Sequence, residues 1–289
     1  MQIRSLDRAW LAEATALLVA GYRFDRLGPV AEEKLFGDDG ARRSYRLGAF
    51  EGERLIGVLG GAGRWVKVLA VAADRRRRGI GTGLLAAAAQ EAAAPLRIAD
   101  HPGNYLSPGI DARDDVAASF LHARGFRRVG EVENIRAPIA DNPLVSAERL
   151  DGLRANAAAA GYECRRATVD DLPALSELLR VAFAPVWAFE AERALRGPCA
   201  ALHVAVHNNS FVGFAAADGN NQGLGWFGPA GTLPEHRGKK LGETLLVACL
   251  RDVASLPEAG VIAWIGPKPF YQRAVGAVDD RRFHQWDQK

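Results

Sequence analysis

Residues 71–85 read Val71-Ala72-Ala73-Asp74-Arg75-Arg76-Arg77-Arg78-Gly79-Ile80-Gly81-Thr82-Gly83-Leu84-Leu85. The apolar run that enters this stretch, Val66 to Ala72, has the character of a buried strand. Leu84 to Ala94, which leaves it, is nearly all Ala and Leu and favours helix. Between them lies a turn with four arginines and three glycines. The first N–H groups of a helix lack intrahelical partners, and its dipole adds about half a positive charge there. Glycines let such a backbone approach a phosphate closely, and arginines neutralise the charge.

Two common phosphate loops do not fit. A dinucleotide fingerprint requires glycine at position 84, where Leu84 stands, and no Gly-Lys-Ser/Thr step of a P-loop is present. What fits is Arg-x-x-Gly-x-Gly at Arg76, Gly79 and Gly81. This resembles the acyl-CoA pyrophosphate loop of the GNAT N-acetyltransferase superfamily. The competing reading is a solvated basic turn after a strand.

A second copy lies 161 residues downstream. Arg237 corresponds to Arg76 and Gly242 to Gly81, and the same offset carries Leu11, Leu17, Leu18 and Tyr22 onto Leu172, Leu178, Leu179 and Phe183. The repeat therefore runs without a gap from domain start to phosphate loop. Leu233-Pro234-Glu235-His236-Arg237-Gly238-Lys239-Lys240-Leu241-Gly242 also resembles the superfamily's approach to its loop. The resemblance covers essentially the whole chain. It implies an α/β fold of two modules, each a largely antiparallel sheet with splayed parallel central strands flanked by helices. The expected division is 1–142 for the first module, 143–160 for a linker and 161–289 for the second.

Composition agrees with a globular chain: 289 residues, 48% apolar and 25% charged. A net charge of +3 gives no global basic field for nucleic acid, because the positive charge is concentrated in Arg75–Arg78 and Arg237–Lys240. Cys164, Cys199 and Cys249 are too few and too scattered for a disulfide frame or a zinc site. No metal is expected. Arg4, Asp7, Arg8 and Glu13 interrupt the first stretch and no run reaches a membrane span, so no signal peptide is expected, and the expected location is cytoplasmic, with no membrane partner.

In the first module, Asp7 can cap a helix with Trp10, Leu11, Ala14, Leu17 and Leu18 on its apolar face. Arg46–Phe50 and Leu55–Gly61 read as a hairpin, and Leu96–Asp100 as the strand after the Ala/Leu helix. In the second, Thr168 is an N-cap, Ala201–Val206 and Phe211–Ala217 form a hairpin, and Val261–Ile265 is a strand. Pro229 cannot donate to a ladder, so the strand into the second loop is an edge or carries a bulge. Lys240 replaces the first loop glycine, and Glu243 would repel a pyrophosphate there.

The resemblance implies acetyl-CoA as cosubstrate and a small-molecule amine as acceptor. It assigns cofactor contacts to Leu69, Val71, Arg76, Arg77, Arg78, Gly79, Ile80, Gly81 and Thr82 in the first module. In the second it assigns them to Ala230, Thr232, Arg237, Gly238, Lys239, Lys240 and Gly242. Backbone N–H groups around Leu69 or Ala230 would face the carbonyl oxygen of the thioester. Phe270-Tyr271 matches the superfamily's Phe-Tyr step, which makes Tyr271 either the proton donor to the departing thiolate or a core tyrosine. Leu121 takes that place in the first module, with Tyr105 as a substitute or a loop anchor. His203 is an acceptor-site group or a structural histidine, while His101 and His122 are expected to make ordinary hydrogen bonds. Neither loop-preceding strand contains Glu or Asp; a water relay or a carboxylate such as Asp100 or Asp218 would take the amine proton. The alternatives are a non-catalytic acyl-CoA-binding protein and, third, a nucleic-acid binder. A monomer and a homodimer are both open.

Overall fold

A computed structural model of the protein describes residues 1–288. Its contacts divide the chain into two units, Met1–Glu133 together with Arg281 onward, and Asn134–Asp280. The expected division ran 1–142, 143–160 and 161–289. The observed one differs because the last strand joins the first unit and residues 134–160 join the second.

The first unit begins with β1 (Gln2–Ser5). The Asp7 carboxylate accepts the Ala9 N–H and opens a single 3-10 turn, which runs into α1 (Leu11–Gly21). Then follow α2 (Ala31–Phe36), β2 (Ser44–Glu51), β3 (Arg54–Ala62), β4 (Trp65–Val71) and α3 (Ile80–Ala92). The remaining elements are β5 (Arg97–Ile98), β6 (Ile110–Asp111), α4 (Asp115–His122) and β7 (Phe126–Arg136). Strands β1 to β4 pair antiparallel in sequence order, and β5 lies parallel to β4. Positions three apart on a strand face opposite sides. A Cβ at Gly57 would meet Ile80 and Leu84 of α3, and one at Gly60 would meet Leu35 of α2, so helices cover both faces. Apolar burial of Ile56, Leu59, Leu84, Phe126 and Trp286 forms the core.

The second unit holds α5 (Ala147–Ala159), β8 (Glu163–Arg166), α6 (Leu172–Ala182), α7 (Pro185–Arg196), β9 (Leu202–His207) and β10 (Ser210–Ala217). It continues through β11 (Phe227–Thr232), α8 (Leu241–Asp252), β12 (Val261–Ile262), α9 (Lys268–Val275) and the start of β13 (Val278–Gln288). Thr168 caps α6's leading turn in a reciprocal box with Asp171. Strand order is β8-β9-β10-β11-β12, with β11 and β12 parallel. Thus β11 is not an edge: the irregularity around Pro229 is absorbed as a register shift between Ala215 and Ala217 of β10. The end of β7 pairs with β12 in this unit, through Arg136↔Val261 and Ile135↔Ile262. The end of β13 pairs with β5 and β6 in the first unit, through Trp286↔Ile98 and Phe283↔Asp111. Each unit therefore draws one strand from the sequence of the other half. Strands β5 and β12 are shorter than expected because parallel pairing stops where the strands part. Among the described residues, no helix is long and apolar enough to cross a membrane.

The first unit buries charge. Lys67 (2% exposed) donates to Asp39 at 2.6 Å, and Lys34 donates to Asn104 and Glu33, each at 2.8 Å. Burial opposes ionisation of Asp39, but Lys67 outweighs it and holds the carboxyl below its usual range. His101 is fully buried edge-on to Trp65, and neither ring nitrogen has a hydrogen-bond partner among the described residues. The ordinary hydrogen bonds expected of His101 are thus absent at this position. Burial pushes this imidazole down from 6.5 to about 4; Asp39 pulls it up, while Lys67, Arg42 and Lys34 push it further down.

The unfolded chain takes up a proton at His101 near 6.5, the native chain only near 4. Between those values the unfolded state carries more protons, so stability falls as pH falls through that window. Above 6.5 the contribution is fully present. The span corresponds to roughly 3 kcal/mol. Thermal unfolding followed from pH 7 to pH 4 should show this loss, and His101→Leu should flatten it.

Candidate active site

Parallel pairing of β4 with β5 is brief. It covers Trp65↔Arg97 and Val66↔Ile98 and ends with the Ala99 N–H on the Val66 carbonyl at 2.8 Å. On its other side β4 carries an extra residue, Lys67, between the partners of Gly60 and Gly61. The bulge bends β4 away from β5. Beyond it, the inward backbone groups of β4 bond to side chains. The Leu69 N–H donates to the Tyr22 hydroxyl at 3.1 Å, and the Val71 carbonyl accepts from Arg76 Nε at 3.2 Å.

The loop then turns through two left-handed residues, Arg77 (φ 64°) and Gly79 (φ 80°). Gly79 is the N-cap of α3, and no side chain among the described residues caps it. A Cβ on Gly79 would meet nothing within 4 Å, so glycine serves conformation there. Gly81 serves space: a Cβ would lie 3.1 Å from the Phe120 ring of α4. The result is a helix start with open N–H groups and arginines beside it.

A cavity of about 900 Å³ joins the splayed strands to this helix start. Leu69, Val71, Arg76, Arg77, Gly79, Ile80, Gly81 and Thr82 all line it. Arg78 is exposed and does not. Arg75, equally prominent in the sequence, bonds Glu51 and Asp74. Sequence reasoning missed Arg124, at the end of α4's sequence neighbourhood. Its Nε donates to Thr82 Oγ1 at 2.8 Å, and its guanidinium lies 5.0 Å from the Phe120 centroid. The only signal was its place four residues after Phe120. Tyr22, Asp25, Ser107, Asp111 and Asp114 line the cavity as well. Arg281 of β13 bonds both Asp25 and Asp111, at 2.9 and 2.8 Å.

The second loop repeats the geometry with its glycine moved. Arg237 Nε donates to the Thr232 carbonyl at 3.1 Å, as Arg76 does to Val71. The left-handed residues are Gly238 (φ 76°) and Lys240 (φ 57°), at the places of Arg77 and Gly79. Each loop has one glycine and one larger residue in this conformation, which costs a non-glycine residue about 1–2 kcal/mol. Gly242 faces Phe270 at 3.6 Å as Gly81 faces Phe120, and Ala230 and Lys239 occupy the places of Leu69 and Arg78. Glu243 forms an ion pair with Arg149 of α5, so the carboxylate expected to repel a pyrophosphate is partly neutralised.

Tyr271 is half-buried, with its ring 5.0 Å from Phe270 and 6.2 Å from Phe227, and burial pushes its phenol up to about 12. Leu121 is core, at 4% exposure. Tyr105 is not among the cavity's lining residues. His203 is buried on Asp252 at 2.7 Å, a structural pairing. Asp100 is buried against Arg97 and Gln285, and Asp218 accepts backbone N–H groups of Gly223 and Gly225. Both carboxylates therefore hold loops or ion pairs.

The model of the acetyltransferase (GNAT) family matches this chain twice, at residues 11–104 and 171–277, and the chain belongs to that family. A mycothiol acetyltransferase of Thermomonospora curvata is 32% identical over 149 residues, covering 50% of this chain and 46% of that protein. The chain thus matches about half the length of this curated relative. Among solved structures, a tandem GNAT protein from the clavulanic acid biosynthesis pathway superposes with a TM-score of 0.68 at 22% identity, over 99% of this chain and 97% of that one. A GCN5-related glucosamine N-acetyltransferase region of a fungal multi-domain β-N-acetylglucosaminidase gives 0.71 at 15% identity, over 99% of this chain and 38% of that one. These likenesses establish two GNAT modules in tandem.

The exchanged glycines lead to opposite outcomes in the two loops. Gly79→Ala should lower stability by about 1–2 kcal/mol, whereas Lys240→Gly should raise it by about 0.5–1 kcal/mol. Midpoints of urea unfolding measured side by side check both.

Proposed function

We propose that the chain is an N-acetyltransferase that moves the acetyl group of acetyl-CoA to an amine of a small-molecule acceptor, with the cofactor held by the first module. The observation that carries this is the continuous cavity from the split between β4 and β5 to the uncapped start of α3. Its donor set fits CoA: backbone N–H groups from Gly79 to Thr82 with Arg76, Arg77 and Arg124 beside them suit a pyrophosphate. The divergent edge at Leu69 and Val71 suits the amide-bearing arm. When bound, acetyl-CoA supplies an activated acyl group.

The protein's part is positioning and electrostatics. Charge-assisted bonds at the loop contribute about 1.5–3 kcal/mol each, so three or four suffice for micromolar affinity after ordering costs. The Leu69 N–H, expected to face the carbonyl oxygen, donates to the Tyr22 hydroxyl, so that hydroxyl stands between it and the cavity. Asp25, Asp111 and Asp114 also line the cavity, but Arg281, Arg113 and Arg23 pair with them, so they hold the acceptor side together without setting the acceptor's charge. In the second module, Lys240 occupies the glycine place at the loop, and Tyr271 occupies the phenol place.

Such an acyl-CoA enzyme would work in the cytoplasm, on a small molecule instead of a membrane or nucleic acid. A specific observation also favours a second reading, in which the first module binds acyl-CoA without turnover: Leu121 replaces the expected phenol on α4.

Calorimetry with CoA should show binding at micromolar strength, weakened roughly tenfold to a hundredfold by Arg76→Ala. A free-thiol assay over a panel of amines should show acetyl-CoA-dependent thiol release. Binding without release on any amine favours the second reading, and no binding removes both.

A further inference from the structure

The first module has no phenol on α4, but its cavity is lined by one from a different element. Tyr22 is the C-cap of α1, its N–H bonding to the Leu18 carbonyl. Phe183 is the C-cap of α6 in the second module, bonding to Leu179 in the same way. The two positions correspond in sequence and in structure, yet only one carries a hydroxyl.

How each ring reaches its strand explains the difference. In the first module the close contact is made by a helix glycine: a Cβ on Gly21 would stand 3.1 Å from the Ala70 Cβ. In the second, the corresponding helix residue is Ala182 and the corresponding strand residue is Gly231. A Cβ at Gly231 would lie 2.4 Å from the Phe183 ring, so that ring lies directly over the strand. The small residue has changed sides. The Tyr22 ring consequently ends with its hydroxyl at Leu69, accepting that N–H at 3.1 Å while lining the cavity.

We propose that the Tyr22 hydroxyl, backed by the Leu69 N–H, is the first module's hydrogen-bond donor to the thioester carbonyl, and so is a catalytic residue. This rests on the reading of that cavity as the acetyl-CoA site. A phenol has one proton to give and two lone pairs. With one lone pair taken by the Leu69 N–H, the O–H is free to point into the cavity, and the N–H polarises it. Burial, with smaller contributions from Asp25 and Asp114, pushes this phenol above its ordinary value, so the proton is present at neutral pH. The backbone N–H then acts through Tyr22 instead of meeting the substrate directly. Each module thus carries one of these two phenols, Tyr22 after α1 in the first and Tyr271 on α9 in the second, with Phe183 and Leu121 at the corresponding places.

The test compares wild type with Tyr22→Phe by calorimetry against acetyl-CoA and against CoA, followed by thiol release with an accepted amine. CoA affinity should agree within about twofold between the two proteins, which also shows that the variant is folded. The preference for acetyl-CoA over CoA should fall about tenfold, the equivalent of one lost hydrogen bond. Turnover at saturation should fall about a hundredfold to a thousandfold. An unchanged or increased preference and turnover in Tyr22→Phe overturns the proposal, since the hydroxyl would then only cover the Leu69 N–H. Turnover abolished by Tyr271→Phe but kept in Tyr22→Phe overturns it as well. Failure of wild type to bind CoA removes the underlying reading and the proposal with it, an outcome distinct from intact CoA binding with an indifferent Tyr22.

Discussion

An uncapped helix start at the end of two diverging strands is the constraint to which the rest of each module answers. A helix placed there leaves N–H groups facing outward, and no side chain among the described residues caps it. To reach that start from the strand, the backbone must pass through left-handed residues at two places, 77 and 79 or 238 and 240. The arginine before the turn locks back onto the strand it came from, through the carbonyl of Val71 or Thr232. Loop shape and charge placement are therefore one arrangement, made twice.

Duplication has let the modules drift while keeping that arrangement. Drift shows in exchanges whose sum stays constant. The loop glycine moves from 79 to 238 while both left-handed turns persist. The small residue at the helix-to-strand contact moves from Gly21 to Gly231. Where only one of two facing residues must be small, or only one of two turn positions must be glycine, either solution holds the geometry. The chemical consequences are not symmetrical, because moving a glycine also moves the aromatic ring packed against it.

The first module also buries Lys34, Lys67, Asp39 and Asn104. Lys67 is the bulge residue of β4, so the distortion that opens the strands also delivers a cation to the interior. Such a pair is weak evidence of stability, since desolvation offsets most of the attraction. It does tie α2's end and the loop at Asn104 to β4 through defined hydrogen bonds, at 2.6 Å from Lys67 to Asp39 and 2.8 Å from Asn104 to Asp39.

Much of the fold was legible from residue order alone. Hairpins, the Asp7 and Thr168 caps, the Ala/Leu helix and the repeat at an offset of 161 residues are local or periodic facts, and local physics sets them. In the first module, all the residues read as cofactor contacts except Arg78 line one cavity, because a strand–turn–helix unit carries its geometry with it. Three things were not legible. Ownership of the last strand was decided by β13 pairing with β5 and β6, and pairing partners far apart in sequence leave no local trace. Arg124 reached Thr82, and Tyr22 reached the Leu69 N–H, across 42 and 47 positions. The sequence by itself determined the class of fold and the kind of anion its loop suits, since those follow from neighbours along the chain. Only the tertiary structure decided which side chains complete the site, because long-range packing, down to which partner of a contact is glycine, selects the groups that meet.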